Sequence, residues 1–424
     1  MSESGATADE ETAPDATSTA TDRRSRRRVP PRPALFALIG LVVVVAIVAV
    51  LWPGGGSTGP ADAADQQNTI IVSRDTCGQG WQHPTSGNQA LLLHNTDINP
   101  AEVDLVATAT GKVIGEVDGV APNTTATMRI TLGPGSYAVR CLVDDADPIT
   151  GPAVRITGAG RTNPGAVPVT RTDLLPALQQ YQAYLTAGVG TLVGRTDALD
   201  AAVKAAVASN NLTATKAAWL PAHLTYETLG AAYDAFGDFD GEINGTAAGL
   251  PGGVNDPGFT GFHRLEYGLY HGQTAADLVP VADQLDSDVH GLQAALPTIQ
   301  PDALDIGLRA HEIIENSLQF ELTGQTDYGS GTNLATVQAN LTGDQEVLKV
   351  LRPTLAPRYP QLSDVDTWSA RLQKLLTAQQ HPNGSWTPVE QLSQTDREQL
   401  DGTLSELTEL LAPVATITEP RRVS

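Results

Sequence analysis

Nineteen consecutive residues, Ala34–Trp52, carry no charge and no strongly polar side chain. As a helix rising about 1.5 Å per residue, such a run approaches the roughly 30 Å of a hydrocarbon core. A helix in lipid satisfies its own backbone groups, so the many valines are tolerated there. Arg23, Arg24, Arg26, Arg27, Arg28 and Arg32 precede the run. The excess of arginine puts the N-terminus in the cytoplasm and everything after Trp52 outside. The run is long for a signal peptide and no A-x-A cleavage site follows it. No cysteine at its end offers a lipid attachment point. We therefore expect a disordered cytoplasmic tail over 1–33, a transmembrane anchor over 34–52 and a Gly/Pro/Ala linker over 53–67. This is a single-pass cell-membrane protein whose bulk is extracytoplasmic.

Residues 1–33 balance six acids against six arginines, so the net charge of −22 belongs to the part beyond the apolar run. That excess argues against binding nucleic acid by phosphate neutralisation and favours cations. Only two cysteines occur, Cys77 and Cys141. An oxidising exterior permits a disulfide between them.

From about 68 to 158 the chain reads as short Val/Ile/Thr/Tyr-rich segments: TIIVS, QALLLHN, EVDLVAT, KVIGEVDG, TATMRITL, SYAVRCL and AVRITG. Turn residues separate them, which predicts an all-β sandwich. Residues 159–170 read as a second linker. From about Arg171 the period becomes helical. Capping residues and prolines at first-turn positions predict helices over 171–187, 196–209, 213–236, from Asp256 through FTGFHRLEYGLYHG, 274–296, from Pro301 to Gly324, 333–351, 363–378 and 389–411. A loop over 237–256 interrupts them, and loops of that length are often functional. The expected domain is an all-α bundle over 171–412, followed by a tail over 413–424.

Three of these helices offer a histidine and a carboxylate one turn apart: His223 with Glu227, His263 with Glu266, and His311 with Glu315, beside Glu312. A single pair of this kind is ordinarily a surface ion pair or a satisfied buried one. Three pairs among eight histidines raise the alternative of a metal site, because bundles build such sites from carboxylates and imidazoles on facing helices. Mixed oxygen and nitrogen donors suit iron, and also zinc, copper or manganese. Catalytic motifs are incomplete: His311-Glu312-x-x-Glu315 lacks the second histidine of H-E-x-x-H, and no G-x-S-x-G occurs.

The stretch GFTGFHRLEYGLYHG, Gly258–Gly272, resembles the G-x-H-x-x-E signature of imelysin-like (peptidase M75) domains. The preceding AWLPAHLTYETLGAAYDAFGDFDGEINGTAAGL and the later RAHEIIENSLQFELTG resemble further helices of the same domain. A cupredoxin-like domain followed by an imelysin domain is the arrangement of EfeO-type iron-uptake proteins, and the resemblance covers about 70–412. It implies an extracytoplasmic iron-binding component that works with an iron permease and a haem-containing peroxidase and is not an enzyme. Carried onto this chain, it implies metal ligands Glu227, His263 and Glu266 with an acid from Glu312 or Glu315; His223, one turn before Glu227, is a further candidate. Relatives often carry acids where this chain has Gly230 and Asn244; Asp238, Asp240 and Glu242 stand nearby to compensate.

In the β domain the resemblance implies a second metal site, drawn here from Cys77, Glu102, Asp104, Glu116 and Cys141; the alternative is a Cys77–Cys141 disulfide. Blue copper is disfavoured, because CLVDDADPITG supplies no His or Met after Cys141 even though His83 and His94 are present. The competing functions are a metal-dependent cell-surface peptidase and a polysaccharide- or haem-binding surface module. Iron is the expected metal, with zinc and copper as alternatives.

Overall fold

The computed structural model describes residues 69–81 and 84–422. The tail, anchor and linker expected over 1–67 lie outside the described residues, as does His83. Among the described residues no helix is long and apolar enough to cross a membrane.

Among the described residues nine strands form two facing sheets: β1 (Thr69–Val72), β2 (Cys77–Gln79), β3 (Gly87–Asn95), β4 (Ala101–Ala107), β5 (Val113–Val120), β6 (Thr125–Leu132), β7 (Gly135–Val143), β8 (Ile149–Thr150) and β9 (Val154–Ile156). One sheet runs β2-β1-β3-β6; the other runs β5-β4-β7-β8, with β9 also on β7. The β1–β3 pair is parallel and the other pairs are antiparallel. Seven expected strands become nine, because Cys77–Gln79 and Ile149–Thr150 are too short to show a period. Alternation fills the space between the sheets: Ala101, Val103 and Leu105 of β4 point in with Leu91, Leu93 and Val139. Cys77 and Cys141 form a disulfide that joins the two sheets through this core.

The helical part comprises α1 (Arg171–Ala206), α2 (Thr213–Glu227), α3 (Asp238–Asn244), α4 (Gly261–Tyr270), α5 (Ala275–Ala295), α6 (Ala303–Asn316), α7 (Asn333–Leu355), α8 (Leu362–Ala378) and α9 (Gln394–Thr418). It has its own large apolar core. Four expectations are corrected here. The helices expected over 171–187 and 196–209 are one, because Leu185, Val189, Leu192, Leu199 and Val203 continue a single buried stripe through the glycines. Gly188 is small for packing reasons: a Cβ there would lie 2.6 Å from Leu229. The helix expected over 213–236 ends at Glu227, and a 3-10 turn at Gly230–Ala232 and a single turn at Tyr233–Phe236 follow. The expected loop after it contains α3. Helix α4 starts at Gly261, not at Asp256, and Gly261 has φ +75° with a would-be Cβ only 2.1 Å from the Ile243 carbonyl. Only glycine lets the end of α3 touch the start of α4 in this way.

The segments read as linker and tail are both structured. Ala166 bridges to Val113, and Val169 bridges to Pro420. Helix α9 runs past residue 413 to Thr418. Beyond it, Arg421 Nε donates to Glu116 Oε2 at 2.9 Å, and Arg422 donates to the carbonyls of Leu142 (2.7 Å) and Val143 (3.3 Å). Arg358 of the helical part donates to the carbonyls of Val167 and Pro168, each at 3.1 Å.

Candidate metal centre

Helices α2 and α4 cross where the Trp219 indole N–H donates to the Phe262 carbonyl at 3.0 Å. That bond fixes the register of two His/Glu pairs. One turn beyond Trp219 is His223, its ring stacked on the indole at 5.1 Å; one turn further is Glu227. His263 and Glu266 sit one turn apart on α4. All four side chains are buried. The His223 and His263 rings meet edge to face at 5.1 Å. One donor atom each from His223, Glu227 and His263 lies within 4.8 Å of the others. His223 Nε2 is 3.0 Å from Glu227 Oε1, and His263 Nδ1 is 3.4 Å from Glu266 Oε2. His223 Nδ1 is shielded from solvent and makes no hydrogen bond.

Surrounding groups orient the carboxylates. Asn244, at the end of α3, donates to Glu227 Oε1 at 2.7 Å. The backbone N–H groups of Tyr328 and Ser330, in the loop between α6 and α7, donate to Glu266 Oε1, each at 3.1 Å. Tyr328 also places its ring 5.4 Å from that of His263.

A third buried acid, Glu321, feels the charges of this cluster. A π-turn, Ser317–Glu321, continues α6 and buries Glu321. Glu321 accepts from Thr326 Oγ1 at 2.7 Å and from Asn333 Nδ2 at 2.8 Å.

Burial alone raises a carboxyl pKa, and neighbours decide the outcome. For Glu227 burial is outweighed by His223, His263 and Asn244, leaving it below the usual range. Glu266 is likewise held low, by His263, Ser330 and His223 against burial. For Glu321 the balance goes the other way: burial and the charge of Glu227 outweigh the hydrogen bonds from Asn333 and Thr326 and the charge of His263, and push it up to about 7. Asp240 accepts a hydrogen bond from the Tyr226 hydroxyl at 2.6 Å and is pushed up to about 6, by burial first and then by Glu227. His223, Glu227 and His263 thus meet in a water-poor space with Glu266 beside His263, a donor set suited to first-row metal ions.

Of the residues read from sequence, His223, Glu227, His263 and Glu266 come together. Glu312 and Glu315 lie elsewhere: Glu312 pairs with Arg309 at 3.1 Å, and Glu315 accepts from Gln319 at 2.8 Å. His311 Nδ1 faces the Thr408 carbonyl at 3.0 Å. The buried acid of this segment is Glu321, one π-turn after α6. It continues the buried stripe Ala310, Ile314, Ser317, and an acid on an apolar stripe was the available signal. At Gly230 a Cβ would lie 3.2 Å from Ile313, so the wall there leaves little room for a longer side chain. Asn244 occupies the second variant position and still contacts Glu227.

The five residues read as a second site separate. The cysteines are consumed in the disulfide and offer no thiolate. Glu102, Asp104 and Glu116 do converge within 4.8 Å of one another, but on the outer face of the sheet, opposite Cys141. There Arg140 Nε donates to Asp104 Oδ2 at 3.1 Å, and Arg421 pairs with Glu116. Burial and the charges of Asp104 and Glu116 push Glu102 up to about 7.

A family model described as Imelysin (Peptidase_M75) matches residues 177–414. The chain is also similar to proteins named iron uptake system component EfeO from Escherichia coli O157:H7, Escherichia coli K12 and Shigella flexneri. Each is 29% identical over 359 residues, covering 83% of this chain and 92% of the relative.

Proposed function

We propose, from the premise that this chain belongs to the imelysin (peptidase M75) family, that it is an extracytoplasmic iron-binding component of an iron import system. The observation that carries the reading is the buried convergence of His223, Glu227 and His263, with Glu266 and Glu321 beside them. Iron is the cargo. Glu227 and Glu266 are held in the charged form that a cation needs, and Glu321 gives up its proton as one arrives. Trp219, Asn244 and the Tyr328–Ser330 backbone keep the ligand side chains oriented, so little reorganisation accompanies loading. The names of the similar proteins support iron as the metal.

An iron permease and a haem peroxidase as partners rest on the same resemblance. So does delivery of the ion to the permease. The anchor over 34–52 rests on its composition and would hold the binding domains near the membrane. The His/carboxylate set is read as a ligand set for capture and not as a hydrolytic centre.

The test is calorimetric titration of the extracytoplasmic chain with ferrous, ferric, zinc and cupric ions. Tight saturable iron binding that is lost on His263→Ala with Glu266→Gln is expected. Retention of that binding in the double variant would sink the reading. Chelator-sensitive peptide hydrolysis would replace it with the peptidase one.

A further inference from the structure

Away from the buried centre, helices α1 and α5 pack along each other through Val189, Leu199 and Val203 against Leu285, Val289 and Leu292. One edge of that packing is polar. His290 Nε2 lies 2.9 Å from Asp197 Oδ1 of α1 and 3.9 Å from Asp286 Oδ2, one turn earlier on α5. Donor atoms of the three residues lie within 4.8 Å of one another. The other oxygen of Asp286, Oδ1, is shielded from solvent, with the Thr196 side chain as its neighbour. Further along the seam, Lys204 Nζ lies 2.6 Å from both Asp200 Oδ2 and Asp283 Oδ1. Four aspartates against one lysine leave three negative charges along the seam when His290 is neutral.

We propose that Asp197, Asp286 and His290 form a second, solvent-facing site for a divalent first-row metal ion. An ion pair between His290 and Asp197 would by itself need no third partner. Here two carboxylates face one ring nitrogen, whose single proton offsets only part of their charge. When that nitrogen is unprotonated, its lone pair points to the same place. A divalent cation there replaces the proton and contributes two charges instead of one. Oxygen and imidazole donors of this kind bind zinc, cobalt, copper and ferrous ions. The apolar packing of α1 on α5 fixes both backbones, so the three donors are presented without a folding cost. Three protein ligands leave positions for water, and the site faces solvent, which suits rapid exchange more than storage. The inference does not depend on the buried centre.

The test uses cobalt(II), whose visible absorption reports ligation, on the extracytoplasmic chain in which His263→Ala and Glu266→Gln have removed the buried centre. One saturable cobalt site is expected in that background. Adding His290→Ala should abolish it, and Asp286→Asn should weaken it by about tenfold or more. In the otherwise unaltered chain, His290→Ala should lower the cobalt stoichiometry by one, which guards against misfolding of the double variant. Absence of saturable cobalt binding in a folded double variant would overturn the proposal. So would an isotherm unchanged by His290→Ala in either background.

Discussion

Replacing Glu321 by Gln should make the metal-free protein more stable at high pH and leave it unchanged at low pH. The carboxyl titrates near 4.5 when unhindered and at about 7 in the fold. At or below about pH 4.5 it is neutral in both states, so a neutral amide changes little. Between about 4.5 and 7 the unfolded chain releases the proton and the folded chain keeps it. The unfolded state therefore gains about 1.4 kcal/mol for each pH unit. Above about pH 7 both states are ionised, and the penalty levels off at about 3 kcal/mol. Glu321→Gln removes it. The amide fits, because Asn333 Oδ1 is buried without a hydrogen-bond partner and can turn to accept from it. At roughly 2 °C per kcal/mol, Tm at pH 8 in chelator should rise by about 6 °C, with no difference near pH 4.5. Adding iron should reverse the order at pH 8, since the variant loses a ligand and gains less from binding. A Tm difference that is the same at both pH values, or a wild type more stable at pH 8 without metal, would refute the reasoning.

At Gly343 an added Cβ would lie 2.6 Å from the Thr228 carbonyl, next to Glu227. Gly343→Ala should therefore cost about 1–3 kcal/mol of overpacking, offset by about 1 kcal/mol of helix propensity. Urea melts should show a net loss, and titration should show weaker iron binding, because the end of α2 must move. Cys77→Ala with Cys141→Ala opens a crosslink between residues 64 apart and should cost about 4 kcal/mol in denaturant melts, with iron binding by the helical part unchanged. Arg421→Ala leaves Glu116 unpaired and should cost about 1–3 kcal/mol, read as faster proteolytic cleavage between residues 159 and 170.

The helix types and the two His/Glu pairs at the centre were legible because their spacing is local. His223 with Glu227 and His263 with Glu266 need only a one-turn period to be seen. What joins them, the Trp219–Phe262 bond and the approach of Gly261 to Ile243, is a contact between helices that no local period encodes. Glu321 has no histidine one turn away to mark it, and the imidazole whose charge it feels, His263, is on another helix. The end of α2 at Glu227 was missed for a related reason: Thr228 to Phe236 has good helical composition, and the packing of Gly343 against Thr228 decides otherwise. In the β domain the period of two already separated the second-site residues. Glu102 and Asp104 have the opposite parity from Val103, the partner of Cys141 across the sheet, so acids and cysteines could never face the same ion.

The bridge between Val169 and Pro420 means that the helical part is entered and left at a single point on the sandwich. Mechanically it is a closed loop hung from one hinge, with Arg358, Arg421 and Arg422 as the pins. Each domain keeps its own core, so each can fold before the pins lock them together. Loss of the Arg421 and Arg422 side chains alone would leave both cores intact and still loosen the joint.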